Sequence, residues 1–245
     1  MRTIGLIGGM SWESTAHYYR IINETVRNRL GPLRSAELVL YSVDFGAVER
    51  LQHAGRWDEA GQLLAGAAQR LEKAGAECLV LCTNTMHKVA TQIQSSTTIA
   101  LLHIADPTGA AAIELGASTV GLLGTRFTME EDFYRRRLEL RHGVRVLIPE
   151  HAERLELHRI IYEELCTGKI VDVSRDYYRA SIQQLVERGA QAIILGCTEI
   201  MLLVGAADSS VPMLDTTQLH ALAAVDFALS GAPLTAEKQA NTPPG

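Results

Sequence analysis

The sequence predicts an α/β protein of two similar domains, each a parallel four-stranded sheet flanked by helices, the two related by pseudo-twofold symmetry. Three observations predict it. Short apolar runs alternate with amphipathic, helix-length segments along the chain, the pattern of a parallel sheet with helical crossovers. The pattern then restarts: Thr119-Val120-Gly121-Leu122-Leu123-Gly124-Thr125 echoes Thr3-Ile4-Gly5-Leu6-Ile7-Gly8-Gly9, Tyr134 echoes Tyr18, and Gly189 and Cys197 echo Gly75 and Cys82, all at offsets of 114 to 116 residues. Such a near-constant offset marks an internal duplication. Finally, two buried-type strands each end in a cysteine followed by threonine, Cys78-Leu79-Val80-Leu81-Cys82-Thr83 and Ala192-Ile193-Ile194-Leu195-Gly196-Cys197-Thr198. The carboxyl edge of a parallel sheet is where open α/β folds bind ligands.

In chain order, Thr3–Ile7 is a strand and Gly8-Gly9-Met10-Ser11 turns it. Ser11 or Ser14 caps a helix to about Arg29, with Tyr19, Ile22 and Val26 as its core stripe, and Gly31-Pro32 ends it. Ala36–Val43 is the second strand, and Asp44–Trp57 is a polar loop or a short helix over the sheet edge. Asp58–Ala74 is a helix with Leu64, Ala68 and Leu71 on one face. After the first cysteine strand Thr85 caps a helix to about Gln94. Thr98–Ile104 is the fourth strand, and Asp106-Pro107 opens a helix with proline in its first turn. In the second half, strands are expected at 119–124, Val144–Ile148, the second cysteine run and Val211–Leu214. Helices are expected at Ser174–Arg188, with Tyr178, Ile182 and Leu185 facing inward, and from Asp215 to about Leu229. Residues 231–245, with three prolines and little to bury, read as a disordered tail.

Composition limits the function. At 245 residues, 47% hydrophobic and 21% charged, this is a globular chain. A net charge of −5 without a Lys/Arg cluster argues against nucleic acid or an anionic membrane as partner. No apolar run approaches membrane-spanning length. No leader precedes the first strand, so the expected location is cytoplasmic and the four cysteines are expected to be reduced thiols.

A pseudo-twofold axis between the halves would set Cys82 and Cys197 on opposite walls of one cleft. A cysteine at a helix N-terminus has its thiolate favoured by the helix dipole. Two opposed thiols can remove a proton from one face of a carbon and return one to the other, inverting that carbon. Because a Cα–H beside a carboxylate is a very weak acid, the site must exclude water and supply fixed donors. Thr83, Asn84, Thr85, Thr125 and Thr198 are suitable. The bland alternatives are weaker. A single strand-end cysteine is ordinarily a small buried residue, as Cys78 is expected to be, but a matched pair is not. Cys82 and His87 as metal ligands lack companions, and no metal is expected. Gly5–Gly9 lacks the G-x-G-x-x-G spacing of a dinucleotide loop, and the repeat accounts for it and for Asp44 better.

These residues resemble the PLP-independent aspartate/glutamate racemase family. Gly5-Leu6-Ile7-Gly8-Gly9-Met10-Ser11, Cys82-Thr83-Asn84-Thr85 and Gly196-Cys197-Thr198-Glu199 carry the resemblance, which runs from residue 1 to about 230. Cys82-Thr83-Asn84-Thr85-Met86-His87-Lys88, His103-Ile104-Ala105-Asp106 and Gly124–Glu130 look closest to the broad-specificity or L-aspartate/glutamate racemases of enterobacterial type. The resemblance implies a homodimer without cofactor acting on a small-molecule amino acid. It implies a first domain of 1–104 completed by 211–230, and a second of 105–210. It implies Cys197 and Cys82 as the acid/base residues for the L- and D-enantiomer, with Met10, Gln52, Thr83, Asn84, Thr85 and Thr198 as substrate contacts.

Departures from the family pattern bear on specificity. The first glycine loop carries Met10 where glutamate racemases have an acidic residue. The Pro-Asp-Arg stretch of aspartate racemases has no clean match in Val43-Asp44-Phe45-Gly46-Ala47, with Glu49-Arg50 a shifted one, and Cys166 stands where they carry a lysine. Acidic substrates then lose charge-assisted hydrogen bonds, and neutral polar amino acids become candidate substrates. Related chemistries (hydantoin racemisation, maleate isomerisation, malonate decarboxylation) and a non-catalytic amino-acid binder are the alternatives.

Overall fold

The computed structural model describes residues 1–230; the tail expected at 231–245 lies outside the described residues. The chain forms two parallel four-stranded sheets. The first half runs β1 (Ile4–Gly8), α1 (Trp12–Leu30), β2 (Leu38–Ser42), α2 (Phe45–His53), α3 (Trp57–Lys73), β3 (Cys78–Leu81), a 3-10 turn (Thr85–Val89), α4 (Ala90–Ser95) and β4 (Ala100–Leu102). The second runs α5 (Ala105–Glu114), β5 (Thr119–Gly124), α6 (Arg126–Glu130), α7 (Asp132–His142), β6 (Arg145–Leu147), α8 (His151–Glu163), α9 (Asp172–Glu187), β7 (Ala192–Gly196), β8 (Met213–Asp215) and α10 (Thr216–Ser230). Strand orders β2-β1-β3-β4 and β6-β5-β7-β8 repeat one topology, so the duplication in the sequence is a duplication of the fold. No described helix is long and apolar enough to cross a membrane.

The central strands are buried along their whole length because helices cover both faces. On β3, Cys78 and Val80 face α1 and α10, whereas Leu79 and Leu81 face α3, as a period of two requires. The core stripe of α1 is Tyr18, Ile22 and Val26, packed on Ala221, Ala224 and Val225 of α10. Tyr19, expected in that stripe, is half exposed; its neighbour Tyr18 stands one and two full turns before Ile22 and Val26 and takes the inward position. The inward faces expected for α3 and α9 are buried as expected.

Local chemistry decides between the two alternatives left for one segment and corrects two further expectations. Asp44–Trp57 is largely helical: Asp44 caps α2 by accepting from Gly46 N–H at 3.2 Å, and Val48 is buried beneath it. Thr85 does not cap a helix, because its hydroxyl bonds across to Thr125 in the other half at 3.0 Å and the chain there makes a 3-10 turn. Residues 211–230 do not act as one unit completing the first domain. β8 pairs with β7 in the second sheet, while α10 packs on the face of the first. α10 and α5 thereby tie the halves together. The sequence left α6, α7 and α8 unassigned; α8 buries Leu157, Ile160 and Ile161 in a stretch dominated by Glu and Arg, which masks its period.

Candidate active site

The carboxyl ends of the two central strand pairs point at one another, and a small, partly open cavity of about 20 Å³ lies between them. That is room for a single water. The cavity wall carries Met10, Gln52, Thr83, Asn84, Thr85, Thr125, Cys166, Cys197 and Thr198. Of the residues expected there from the sequence, Cys82 alone is not on the wall. It is fully buried, its Sγ directed at the Val80 carbonyl at 3.8 Å, packed with Tyr18 and α10.

Strand register explains the difference. Gly5 on β1 pairs with Leu79 on β3, and its counterpart Gly121 on β5 pairs with Ile193 on β7. Four residues beyond Leu79 is Thr83; four beyond Ile193 is Cys197. The position equivalent to Cys197 is therefore Thr83, and Cys82 corresponds to Gly196. A slip of one residue along a strand turns a side chain to the opposite face. Cys82 thus continues the Cys78–Val80 face behind the site, and Thr83 and Cys197 look into the cavity from opposite halves.

Each wall residue is held by its element. The turn from β1 to α1 brings Met10 to the cavity and sets Ser11 behind it. It needs Gly9, whose φ of 93° is left-handed and whose Cβ would collide with the Val43 carbonyl oxygen. Thr85, Thr125 and Thr128 form a buried hydroxyl cluster with Oγ···Oγ distances of 3.0 to 3.4 Å. Asn84 donates from Nδ2 to Thr216 Oγ1 at 3.0 Å, and Thr216 donates to the Leu195 carbonyl at 2.8 Å. Its Oδ1 is buried without a partner, an acceptor open to a ligand donor. His87, considered above as a metal ligand, instead donates from Nδ1 to the Thr83 carbonyl at 2.8 Å and accepts from Ile104 N–H at 3.2 Å. It fixes the backbone of the Thr83 turn.

Sequence reasoning missed Glu199, Ser11 and Tyr162. Cys197 Sγ donates to Glu199 Oε2 at 3.0 Å, Thr198 donates to the same oxygen at 2.7 Å, and Ser11 donates to Oε1 at 2.6 Å. Burial pushes the Cys197 thiol well above its ordinary value, and the Glu199 carboxylate adds to the rise. Burial also raises Cys166, which lies just beyond α8. Tyr162 closes the cavity: its hydroxyl donates to Gln52 Oε1 at 3.1 Å and its ring stacks on Phe45 with centroids 6.5 Å apart. Glu199 stood inside the Gly196–Glu199 motif and Ser11 beside Met10, so both were visible as polar residues next to the cysteine and glycine motifs. Tyr162 had no such marker.

The wall is built to take a small zwitterion. Hydroxyls and helix-start residues suit a carboxylate, Asn84 Oδ1 suits an ammonium, and a thiol beside a carboxylate suits proton transfer. Residues 7–224 match the Asp/Glu/Hydantoin racemase family. The broad specificity amino-acid racemase RacX of Bacillus subtilis (strain 168) is 23% identical over 239 residues, covering 93% of this chain and 98% of its own. The crystal structure of a Yersinia pestis protein assigned to the Asp/Glu racemases superposes with a TM-score of 0.88 at 55% identity, covering 94% of this chain and 100% of that one. An aspartate racemase homologue from Pyrococcus horikoshii OT3 gives 0.80 at 34% identity, covering 93% and 99%. Two duplicated sheets, a strand-end thiol between them and these matches over nearly the full length lead to one conclusion: the chain belongs to the Asp/Glu/hydantoin racemase family.

Proposed function

We propose that the protein interconverts the enantiomers of small neutral amino acids without a cofactor, with Cys197 as the thiol on one face of the substrate and Thr83 as the proton donor on the other. The observation that carries this reading is the placement of Cys197, on the cavity wall and 3.0 Å from a buried carboxylate. A buried thiol does not lose its proton to water easily. Transfer over that hydrogen bond breaks Sγ–H and forms O–H on Glu199 Oε2, leaving a thiolate aimed into the cavity. The thiolate removes the Cα proton, and the carbanion takes a proton on its opposite face from the Thr83 hydroxyl. A hydroxyl is acid enough to quench a carbanion; when the cleft opens the Thr83 alkoxide takes a proton from water and the protonated Glu199 gives its proton up to water, which restores both groups. The two-thiol form would require Cys82 to enter the cavity, and its side chain lies on the other face of the strand.

The neutral specificity rests on the wall. It carries no Lys or Arg; its one formal charge is Glu199, already engaged by three donors. Arg50 is exposed on α2 and does not reach it. Incubating single amino acids with the protein, followed by chiral chromatography, tests the proposal. The expected result is conversion of either enantiomer to the racemate. A panel of neutral and acidic amino acids left optically pure would sink it. A single strand-end thiol on the wall also favours a second reading, decarboxylation of a substituted malonate, since protonating a carbanion on one face needs one thiol. Carbon dioxide release from a malonate panel distinguishes the two.

A further inference from the structure

Glu199 belongs to the second half of the molecule, but one of the hydroxyls that hold it comes from the first. Ser11, at the turn between β1 and α1, donates from Oγ to Glu199 Oε1 at 2.6 Å across a sequence separation of 188 residues, and both residues are buried. Glu199 Oε2 is thereby left facing Cys197 and Thr198. The groups arrayed around this carboxylate are Cys197 and Thr198 beside it, Cys166 beyond α8, Tyr162 on α8, Tyr178 on α9, and Tyr18 and Ser11 from the first half. None of these is a cation. Orientation of the carboxylate therefore depends on hydroxyl donors, and the Ser11 hydroxyl arrives only when the halves meet.

We infer that Ser11 is a positioning residue that ties readiness of the Cys197 thiol to closure of the two halves. With Ser11 docked, Oε1 is occupied and Oε2 stays within hydrogen-bond reach of Sγ. When the halves part to admit substrate, the carboxylate loses that anchor and is free to turn, and the thiol loses its proton acceptor. Closure over a substrate re-forms the Ser11–Glu199 bond and restores the acceptor where the proton must go. This rests on the proton-transfer reading of Cys197 given above.

The test separates this role from the other one Ser11 has, capping α1 by accepting from Ser14 N–H at 3.4 Å. Ser11→Gly removes the hydroxyl but leaves a residue tolerated at an N-cap, and Ser11→Thr keeps both hydroxyl and cap. Two readouts are taken. One is the rate at which iodoacetamide alkylates Cys197 in the whole protein at fixed pH, followed by peptide mass spectrometry. The other is kcat and KM for an amino acid the wild type racemises. Ser11→Gly should speed Cys197 alkylation severalfold, because a carboxylate free to turn away no longer disfavours the thiolate beside it, and should lower kcat by about tenfold to hundredfold, the scale of losing one hydrogen bond to a charged group. KM should move less than about threefold, because substrate contacts are untouched. Ser11→Thr should return both to near wild type. Wild-type alkylation in the glycine variant, or a loss that threonine does not rescue, would overturn the inference. The alkylation readout needs no substrate: faster alkylation in the glycine variant of a protein that racemises nothing would fell the racemase reading and leave the positioning role standing.

Discussion

Thr83 and Cys197 occupy the same position in the two halves of the molecule, each four residues beyond the strand residue that pairs with the equivalent glycine, Gly5 or Gly121. The two cysteine motifs, Cys82-Thr83 and Cys197-Thr198, are therefore out of step by one residue. Of these two motif cysteines, Cys197 is the one that brings its sulfur to the cavity.

This offset makes the cysteines separable by mutation. Cys197→Ser should lower racemisation by at least about a thousandfold, since an alcohol is a far weaker acid than a thiol and does not form the anion that removes the Cα proton. Cys82→Ala should leave kcat within about threefold and instead cost roughly 1–2 kcal/mol of stability for the small cavity it opens in the core. Racemisation assays and urea denaturation of the two variants check this. Comparable loss of turnover in both would restore the two-thiol arrangement.

Thr83 has its own signature in heavy water. Thr83→Val keeps the shape and removes the hydroxyl. Inversion should fall by about a hundredfold or more, the lower end of the range for one positioned acid. Cys197 should still exchange the α-proton it faces, so one enantiomer acquires deuterium with retained configuration. NMR of the α-position together with chiral chromatography reads both. Loss of exchange and inversion to the same extent would mean that Thr83 is needed for binding and not for proton delivery.

The fold was legible because its signals are local and repeated. Strand–helix alternation and the 114-to-116-residue offset required no tertiary information. The site was legible to within one residue. The motif Cys82-Thr83-Asn84-Thr85 carried the correct stretch, but choosing between Cys82 and Thr83 needs strand register, and an offset that drifts from 116 at Gly5 to 114 at Gly75 cannot supply it. Chemistry favoured the residue with the more reactive side chain, and pairing geometry chose its neighbour. Tyr162 and Ser11 act across the interface between the halves, a relationship with no trace in either half read alone.

The junction between the halves should make the protein acid-labile. His87, His103 and His220 are buried together, with ring centroids 4.5 Å apart for His87 and His103 and 5.8 Å for His87 and His220. His220 donates from Nε2 to the Leu102 carbonyl at 2.8 Å and accepts from the Tyr18 hydroxyl at 2.9 Å, so it is neutral. Burial pushes His87 down to about 3 and His220 down to about 4. An unfolded histidine binds its proton near pH 6.5. Between about pH 6.5 and 4 the unfolded chain therefore holds more protons than the folded one, and stability falls as pH falls, by up to about 1.4 kcal/mol per pH unit for each such histidine. The Tm should drop steadily from pH 7.5 to 5, and the slope should be shallower in His220→Gln. A Tm indifferent to pH over that range would contradict the burial of neutral rings.

Specificity is the remaining consequence of the wall. A substrate with a side-chain carboxylate would bring a second negative charge into a small cavity whose one formal charge, among the described residues, is the Glu199 carboxylate. Met10, Phe45, Ile161, Tyr162 and Cys166 offer it apolar surface and one phenolic hydroxyl that already bonds Gln52. A hydrogen bond to a charged group contributes roughly 1.5–3 kcal/mol, so a missing cationic partner removes about a tenfold to hundredfold preference. Repulsion from Glu199 acts in the same direction. Measured side by side, kcat/KM for homoserine and other neutral amino acids should equal or exceed that for aspartate and glutamate. Replacing Cys166, on the wall opposite Thr83, with lysine should raise kcat/KM for aspartate by about tenfold or more while lowering it for the neutral substrates. An aspartate preference above about a hundredfold in the wild type would mean that a cation swings into the opened cleft. Arg50 on the exposed face of α2 is then the side chain to remove, and an Arg50→Ala variant that kept the preference would leave the neutral-pocket argument without a defence.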